Sequence, residues 1–168
     1  AESIVQSADI QSGDNILEIG PGYGMLTQEL LNFNAKVTAI EIDPDLCAEL
    51  RNKFEQKNNF TLLEHDVMKI DNNEFDKLIN FPAKLVANLP YNIATALLLK
   101  ILPVRNEWES FTVMVQLEVG ERLCATPESG KKYGPLSLAG ALGFEKKIVK
   151  VITPECFFPS PKVNSCVI

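Results

Sequence analysis

A short apolar run at residues 15–19 breaks into Gly20-Pro21-Gly22-Tyr23-Gly24, and a helix-like stretch at 25–33 follows at once. Glycines packed this closely between a strand and a helix allow a tight turn. They also let a ligand approach the backbone where the first helical N–H groups point outward. The same strand–helix alternation continues along the chain, with strands expected at 36–41, 60–65, 84–88, 111–116, 146–152 and 163–168. Helices are expected at 44–57, 93–102 and 118–125, with a shorter one near 135–142. Such alternation predicts right-handed βαβ units and an α/β fold built on a mostly parallel seven-stranded sheet. A Pro-rich loop, residues 154–161, links the last two strands and favours an antiparallel edge strand there.

In an open sheet of this kind, ligands gather beyond the carboxyl ends of the strands. Gly20, Glu41, Asp66 and Asn88 fall at the ends of four successive strands and so converge on that edge. The spacing G-x-G-x-G is one residue shorter than a dinucleotide fingerprint; alone it is weak evidence, with a plain tight connection as its other reading. Glu41, some twenty residues after the glycines, stands where a carboxylate accepts both hydroxyls of a ribose. Asp66 is either a solvated loop acid or a partner for an adenine amino group. Glu18 is either a strand-end charge or a contact for a cofactor's ammonium group. Asp43 is explained by capping the helix that begins at Pro44.

Asn88-Leu89-Pro90-Tyr91 is the most telling segment for chemistry. The Asn side-chain oxygen and the next backbone carbonyl together accept both N–H bonds of an exocyclic amine, and Tyr91 offers a ring for the heterocycle that carries it. The plainer reading is a strand-ending Asn, a turn Pro and a packed Tyr. Taken with the glycine turn and the strand-end acids, the segment points to methyl transfer onto adenine N6 of a flipped-out base.

Other chemistries find little support. His65 is the only histidine, and no Ser-His-Asp, Cys-His or paired-carboxylate arrangement stands out. Cys47, Cys124, Cys156 and Cys166 are scattered without a C-x-x-C pair, which reads as reduced thiols in a cytosolic protein with no metal site. No apolar run approaches the roughly 18 residues of a membrane span. The net charge of −6 speaks against a nucleic-acid partner until it is divided. Residues 1–84 hold 7 basic and 15 acidic side chains, whereas residues 85–168 hold 9 and 7. The second half, with Lys131-Lys132 and Lys146-Lys147, is therefore the mildly basic one.

Seven segments occur in order: Glu18-Ile-Gly-Pro-Gly-Tyr-Gly24, Glu41-Ile42-Asp43, Asp66, Asn88-Leu-Pro-Tyr-Asn92, Gln116-x-Glu118-Val119-x-Glu121-Arg122, Tyr133-Gly134-x-Leu136-Ser137 and Phe157-Phe158-Pro159-x-Pro161-Lys162-Val163. This set resembles the KsgA-type ribosomal RNA adenine N6,N6-dimethyltransferase family across nearly the whole chain. Macrolide-resistance methyltransferases are close kin, but the Gln116 and Phe157 segments look more like the small-subunit enzymes.

The resemblance implies a Rossmann-like class I methyltransferase fold over residues 1–168 as a single catalytic domain, with S-adenosylmethionine as cofactor. It implies cofactor contacts from Glu18, Gly20, Gly22, Glu41, Ile42, Asp66, Val67 and Asn88. Asn88, Leu89 and Tyr91 would receive the base, and Phe157 or Phe158 would close its other face. The implied partner is small-subunit ribosomal RNA, with adjacent hairpin-loop adenines as target, in an assembling particle. Cytoplasmic location and a monomeric state are the accompanying expectations. Leu117, Gly120, Pro135, Ser160 and Asn164 depart from the residues more usual in these motifs. The family's N-terminal Gln-Asn-Phe-Leu segment and its small helical C-terminal domain have no counterpart in these residues.

Three further readings stay open: methylation of adenine in large-subunit ribosomal RNA or DNA, or of a glutamine amide; a non-catalytic ribosome-assembly or RNA-binding factor on the same scaffold; and a dinucleotide oxidoreductase.

Overall fold

The computed structural model describes residues 1–103, 108–141, 143–157 and 161–168, without the side chains of residues 72, 73 and 76. Its strands are β1 (Asn15–Ile19), β2 (Lys36–Glu41), β3 (Phe60–Glu64), β4 (Ala83–Asn88), β5 (Trp108–Gln116), β6 (Lys150–Ile152) and β7 (Ser165–Val167). They pair in the order β3-β2-β1-β4-β5-β7-β6. The helices are α1 (Glu2–Ser7), α2 (Met25–Asn32), α3 (Pro44–Phe54), α4 (Asn72–Leu78), α5 (Ala94–Ile101), α6 (Leu117–Leu123) and α7 (Pro135–Ala141). The expected α/β class is present, with strands β3, β2, β1 and β4 parallel and β6 and β7 an antiparallel pair.

The chain divides into two compact units. The first, Ala1–Asn88 with Asn106–Val113, is a βαβ arrangement around β1. Its central strands are buried nearly end to end, as sheets covered on both faces require: β1 and β4 each have at most one residue in contact with open solvent or its margin. Leu17 and Leu85 lie opposite each other in register and are fully buried. Asn88 is the only exposed residue of β4, at its carboxyl end. Helix α3 starts as the sequence implies, with Asp43 accepting from the N–H groups of Asp45 and Leu46 at 2.9 and 3.3 Å and Pro44 in the first turn.

The second unit, Leu89–Arg105 with Met114–Ile168, gathers α5, α6 and α7. Leu97, Leu98, Leu123, Leu136 and Val167 form its core. Strand β7 runs antiparallel to both β5 and β6.

Several boundaries differ from the expectation. The strand expected at 146–152 is confined to Lys150–Ile152. Lys146 instead donates to the Ser137 carbonyl at 2.9 Å, and the ladder is joined only from Val149, whose N–H donates to the Val167 carbonyl at 2.9 Å. Helix α4 has no counterpart in the sequence reading because Asn72–Leu78 is mostly polar, with Phe75 as its buried anchor. Its start is marked by Asp71, which accepts from Glu74 N–H at 2.8 Å. The opening fragment is a helix whose Ile4 and Val5 are buried.

Candidate functional site

In the first unit, parallel pairing brings four strand ends to one edge. Ile19 pairs with Ile40 and Glu41 with Glu64, while Leu17 pairs with Leu85 three residues short of Asn88. Gly20, Glu41, Asp66 and Asn88 therefore stand side by side along the order β3-β2-β1-β4.

The glycine turn is tied to its neighbours by specific bonds. Gly20 N–H donates to the Ile40 carbonyl at 2.9 Å. Glu41, only 7% exposed, accepts from Gly22 N–H at 3.3 Å through one oxygen and from the N–H groups of Ile42 and Asp43 at 2.9 and 3.1 Å through the other. This carboxylate thus fixes the turn while keeping lone pairs for further donors. Gly22 has φ of +56°, and a Cβ built there would meet nothing within 4 Å. The space over the turn is open, which suits a ligand lying on the backbone. Gly24 has a different duty: with φ of +72°, its Cβ would come within 2.7 Å of the Phe54 ring. There, close helix packing demands glycine.

Glu18 lies under the turn with 1% exposure and accepts from the Thr27 hydroxyl at 2.7 Å. Burial pushes its carboxyl up to about 8, against the lowering effect of the Thr27 bonds and with some help from the Glu41 charge. It is a protonated tie between β1 and α2 at neutral pH. Asp66 accepts from Met68 N–H at 2.9 Å and lies 3.9 Å from Lys69, so one oxygen organises the turn after β3. Val67 in that turn is buried, whereas Ile42 is 62% exposed beside Glu41.

Asn88 is exposed, and among the described residues its side-chain amide has no hydrogen-bond partner.

In the second unit, Leu89 is 1% exposed and its N–H donates to the Met114 carbonyl at 3.0 Å. Any contact it makes with a ligand comes from its backbone. The Pro90 carbonyl is taken up by the N–H groups of Ile93 and Ala94 at 3.2 and 3.0 Å, starting the winding into α5. Tyr91 is half-buried, and its hydroxyl shares a 2.6 Å hydrogen bond with Ser165 on β7. Phe157 is half-buried behind the short turn Pro154–Cys156, and Phe158 lies outside the described residues.

The sequence reading missed Thr27 and Ser165, the partners that hold Glu18 and Tyr91. Both are polar residues at fully buried positions, in an apolar helix face and an apolar strand, and that contrast is the signal that could have found them. His65 is exposed, its Nδ1 3.0 Å from the Asp66 carbonyl. Among the described residues no cluster of potential metal ligands exists, and no helix is long and apolar enough to cross a membrane.

Comparison with known proteins agrees with this arrangement. The model of the ribosomal RNA adenine dimethylase family matches residues 1–168. The ribosomal RNA small subunit methyltransferase A of Clostridium acetobutylicum is 44% identical over 169 residues, covering 99% of this chain and 60% of that protein. The chain thus spans about three-fifths of the length of such relatives. Among solved structures, a dimethyladenosine transferase from Plasmodium falciparum superposes with a TM-score of 0.81 at 31% identity, over 99% of this chain and 58% of the other. The 23S rRNA methyltransferase ErmE gives 0.77 at 28% identity, over 98% and 64%. Matched by the family model over all 168 residues and 44% identical to a curated relative, this chain belongs to the ribosomal RNA adenine dimethylase family.

Proposed function

We propose that the protein transfers methyl groups from S-adenosylmethionine to N6 of adjacent adenines in a small-subunit ribosomal RNA hairpin loop, in an assembling particle, with residues 1–168 acting as its catalytic domain. The observation that carries this reading is Asn88: an exposed, unpartnered carboxamide at the end of β4, in a row with the glycine turn and Glu41. The residues fit the cofactor. Open space over Gly22 leaves room for its methionine portion, and the held carboxylate of Glu41 is suited to the ribose hydroxyls. Ile42, Asp66 and Val67 are assigned to its adenine, and Glu18 to holding the turn beneath it. When bound, the cofactor supplies an electrophilic methyl group on a sulfonium.

The chain's own task is to make a poor nucleophile ready. The lone pair of an adenine amino group is delocalised into the ring. The Asn88 side-chain oxygen and the Leu89 carbonyl accept its two N–H bonds and favour a tetrahedral nitrogen with its lone pair free. The Leu89 carbonyl suits this role because, among the described residues, it accepts no other hydrogen bond, while its N–H is anchored on Met114. Tyr91 stacks on the extruded base, contributing about 1–3 kcal/mol, with its ring oriented by Ser165. Phe157 and Phe158 are assigned to the other face of the base. This is positioning and electrostatic stabilisation without a strong base. A loop adenine costs less to extrude than one in a duplex, which favours single-stranded RNA as target.

Incubating the protein with labelled S-adenosylmethionine and separate small-subunit RNA, large-subunit RNA, DNA and protein fractions tests the assignment. Label is expected on adenine N6 of the small-subunit RNA. The likeness to ErmE makes large-subunit RNA the second reading, and label confined to that fraction would replace the first.

A further inference from the structure

We infer that a groove in the second unit, walled by α5 and the segment leading into α7, takes the nucleotide that flanks the target base in single-stranded RNA. This inference rests on the base-capture reading above. The groove holds about 320 Å³ and is lined by Thr95 and Leu99 of α5, by Tyr133, and by the cations Arg122, Lys131 and Lys132. It combines an aromatic and apolar floor with a cationic rim. That pairing matches one nucleotide, whose base lies on a ring while its phosphate meets a positive charge.

The cations differ in their availability. Lys131 is exposed and has no carboxylate partner among the described residues. Arg122 lies 3.9 Å from Glu118, and both side chains are more than half exposed, so solvent screens the pair and the guanidinium is free to turn. Lys132 is held 2.7 Å from Glu121. Lys131 and Arg122 are therefore the phosphate donors, and Lys132 is not.

Position ties the groove to the reaction. Tyr91 lies in the turn closed by the Pro90 carbonyl, which accepts from the N–H groups of Ile93 and Ala94, and α5 follows at once from Ala94. Thr95 is the second residue of that helix and Leu99 lies one turn further on, so the turn that carries Tyr91 leads directly into the wall of the groove. A base stacked on Tyr91 would leave its neighbour over Thr95 and Leu99, beside Tyr133.

The test uses a short single-stranded RNA with one adenine, carrying 4-thiouridine next to it or 8-azidoadenosine in its place. After irradiation, the thiouridine probe is expected on Tyr133 or a neighbouring groove residue and the azidoadenosine probe on Tyr91. In fluorescence anisotropy, Lys131→Ala should weaken binding of the unmodified RNA about fivefold to tenfold. It should also lower the salt slope by about one, the signature of one lost phosphate contact. Lys132→Ala should change affinity less than twofold. If the adenine probe reaches Tyr91 while the flanking probe maps only outside the groove, the groove falls and base capture stands. If neither probe reaches its residue, both fall. Equal losses for Lys131→Ala and Lys132→Ala would mean diffuse charge attraction and would also overturn the groove.

Discussion

In the proposed reaction the chemistry turns on Asn88, because its amide is exposed at a strand end where the neighbouring strand-end groups have structural partners. Asn88→Ala should lower kcat by about 10²–10³, the usual effect of removing one preorganised group. Cofactor affinity measured by calorimetry should stay nearly unchanged. Tyr91 separates two contributions. Tyr91→Phe loses only the bond to Ser165, whereas Tyr91→Ala also loses the stacking face; methylation assays should show the larger loss for Ala. Equal losses would assign the role to the hydroxyl. Glu41→Ala removes the acceptor for Gly22, Ile42 and Asp43 together. A loss of about 10–100-fold in cofactor affinity follows from hydrogen bonds to a charged group. At this scale the strand-end residues were legible because parallel topology forces them to one edge. Their partners Thr27 and Ser165 were not, since buried hydrogen bonds join residues 9 and 74 positions apart.

The elements around the turn make their own predictions. Glu18 ties β1 to α2, and burial raises its carboxyl from 4.5 to about 8. Above pH 4.5 the unfolded chain gives up this proton while the folded chain keeps it. Stability should therefore fall as pH rises toward 8, by at most about 1.4 kcal/mol per pH unit, and level off beyond. Urea midpoints of the cofactor-free protein from pH 5 to 9 should show this slope, and Glu18→Gln should flatten it.

Gly22 and Gly24 share a left-handed backbone but differ in surroundings. Gly24→Ala should cost about 2–4 kcal/mol, adding overpacking against Phe54 to backbone strain. Gly22→Ala should cost only the strain, about 1–2 kcal/mol, yet weaken cofactor binding by filling the open space. Denaturation and calorimetry on the same pair check both halves. Gly120, one of the motif departures, is likewise a packing requirement: a Cβ there would overlap the Cys166 sulfur. Strands β1 and β2 were readable to the residue because mainly aliphatic runs, Asn15–Ile19 and Lys36–Glu41, end abruptly at a glycine turn and an acid. Helix α4 was hidden because one buried phenylalanine in a polar segment leaves no periodic signal.

For the whole molecule, the sequence conveyed the α/β class and the strand-end row, since both follow from alternation alone. It did not convey the groove beside Tyr133, which depends on how α5 and α7 pack. The net charge of −6 also misleads as a single figure, because the acidic excess lies in residues 1–84 while Tyr91, Arg122 and Lys131 lie in the basic half. The central claim is that an extruded adenine is held by Asn88 and Leu89 with its amino lone pair toward the methyl donor. Its most direct measurement is mass-spectrometric mapping of small-subunit RNA after incubation with S-adenosylmethionine and either the protein or its Asn88→Ala variant. New methyl groups are expected on adenine N6 with the first, and fewer than about one in a hundred of them with the second at equal times. Methylation at any other atom, or equal methylation by the variant, would contradict the claim.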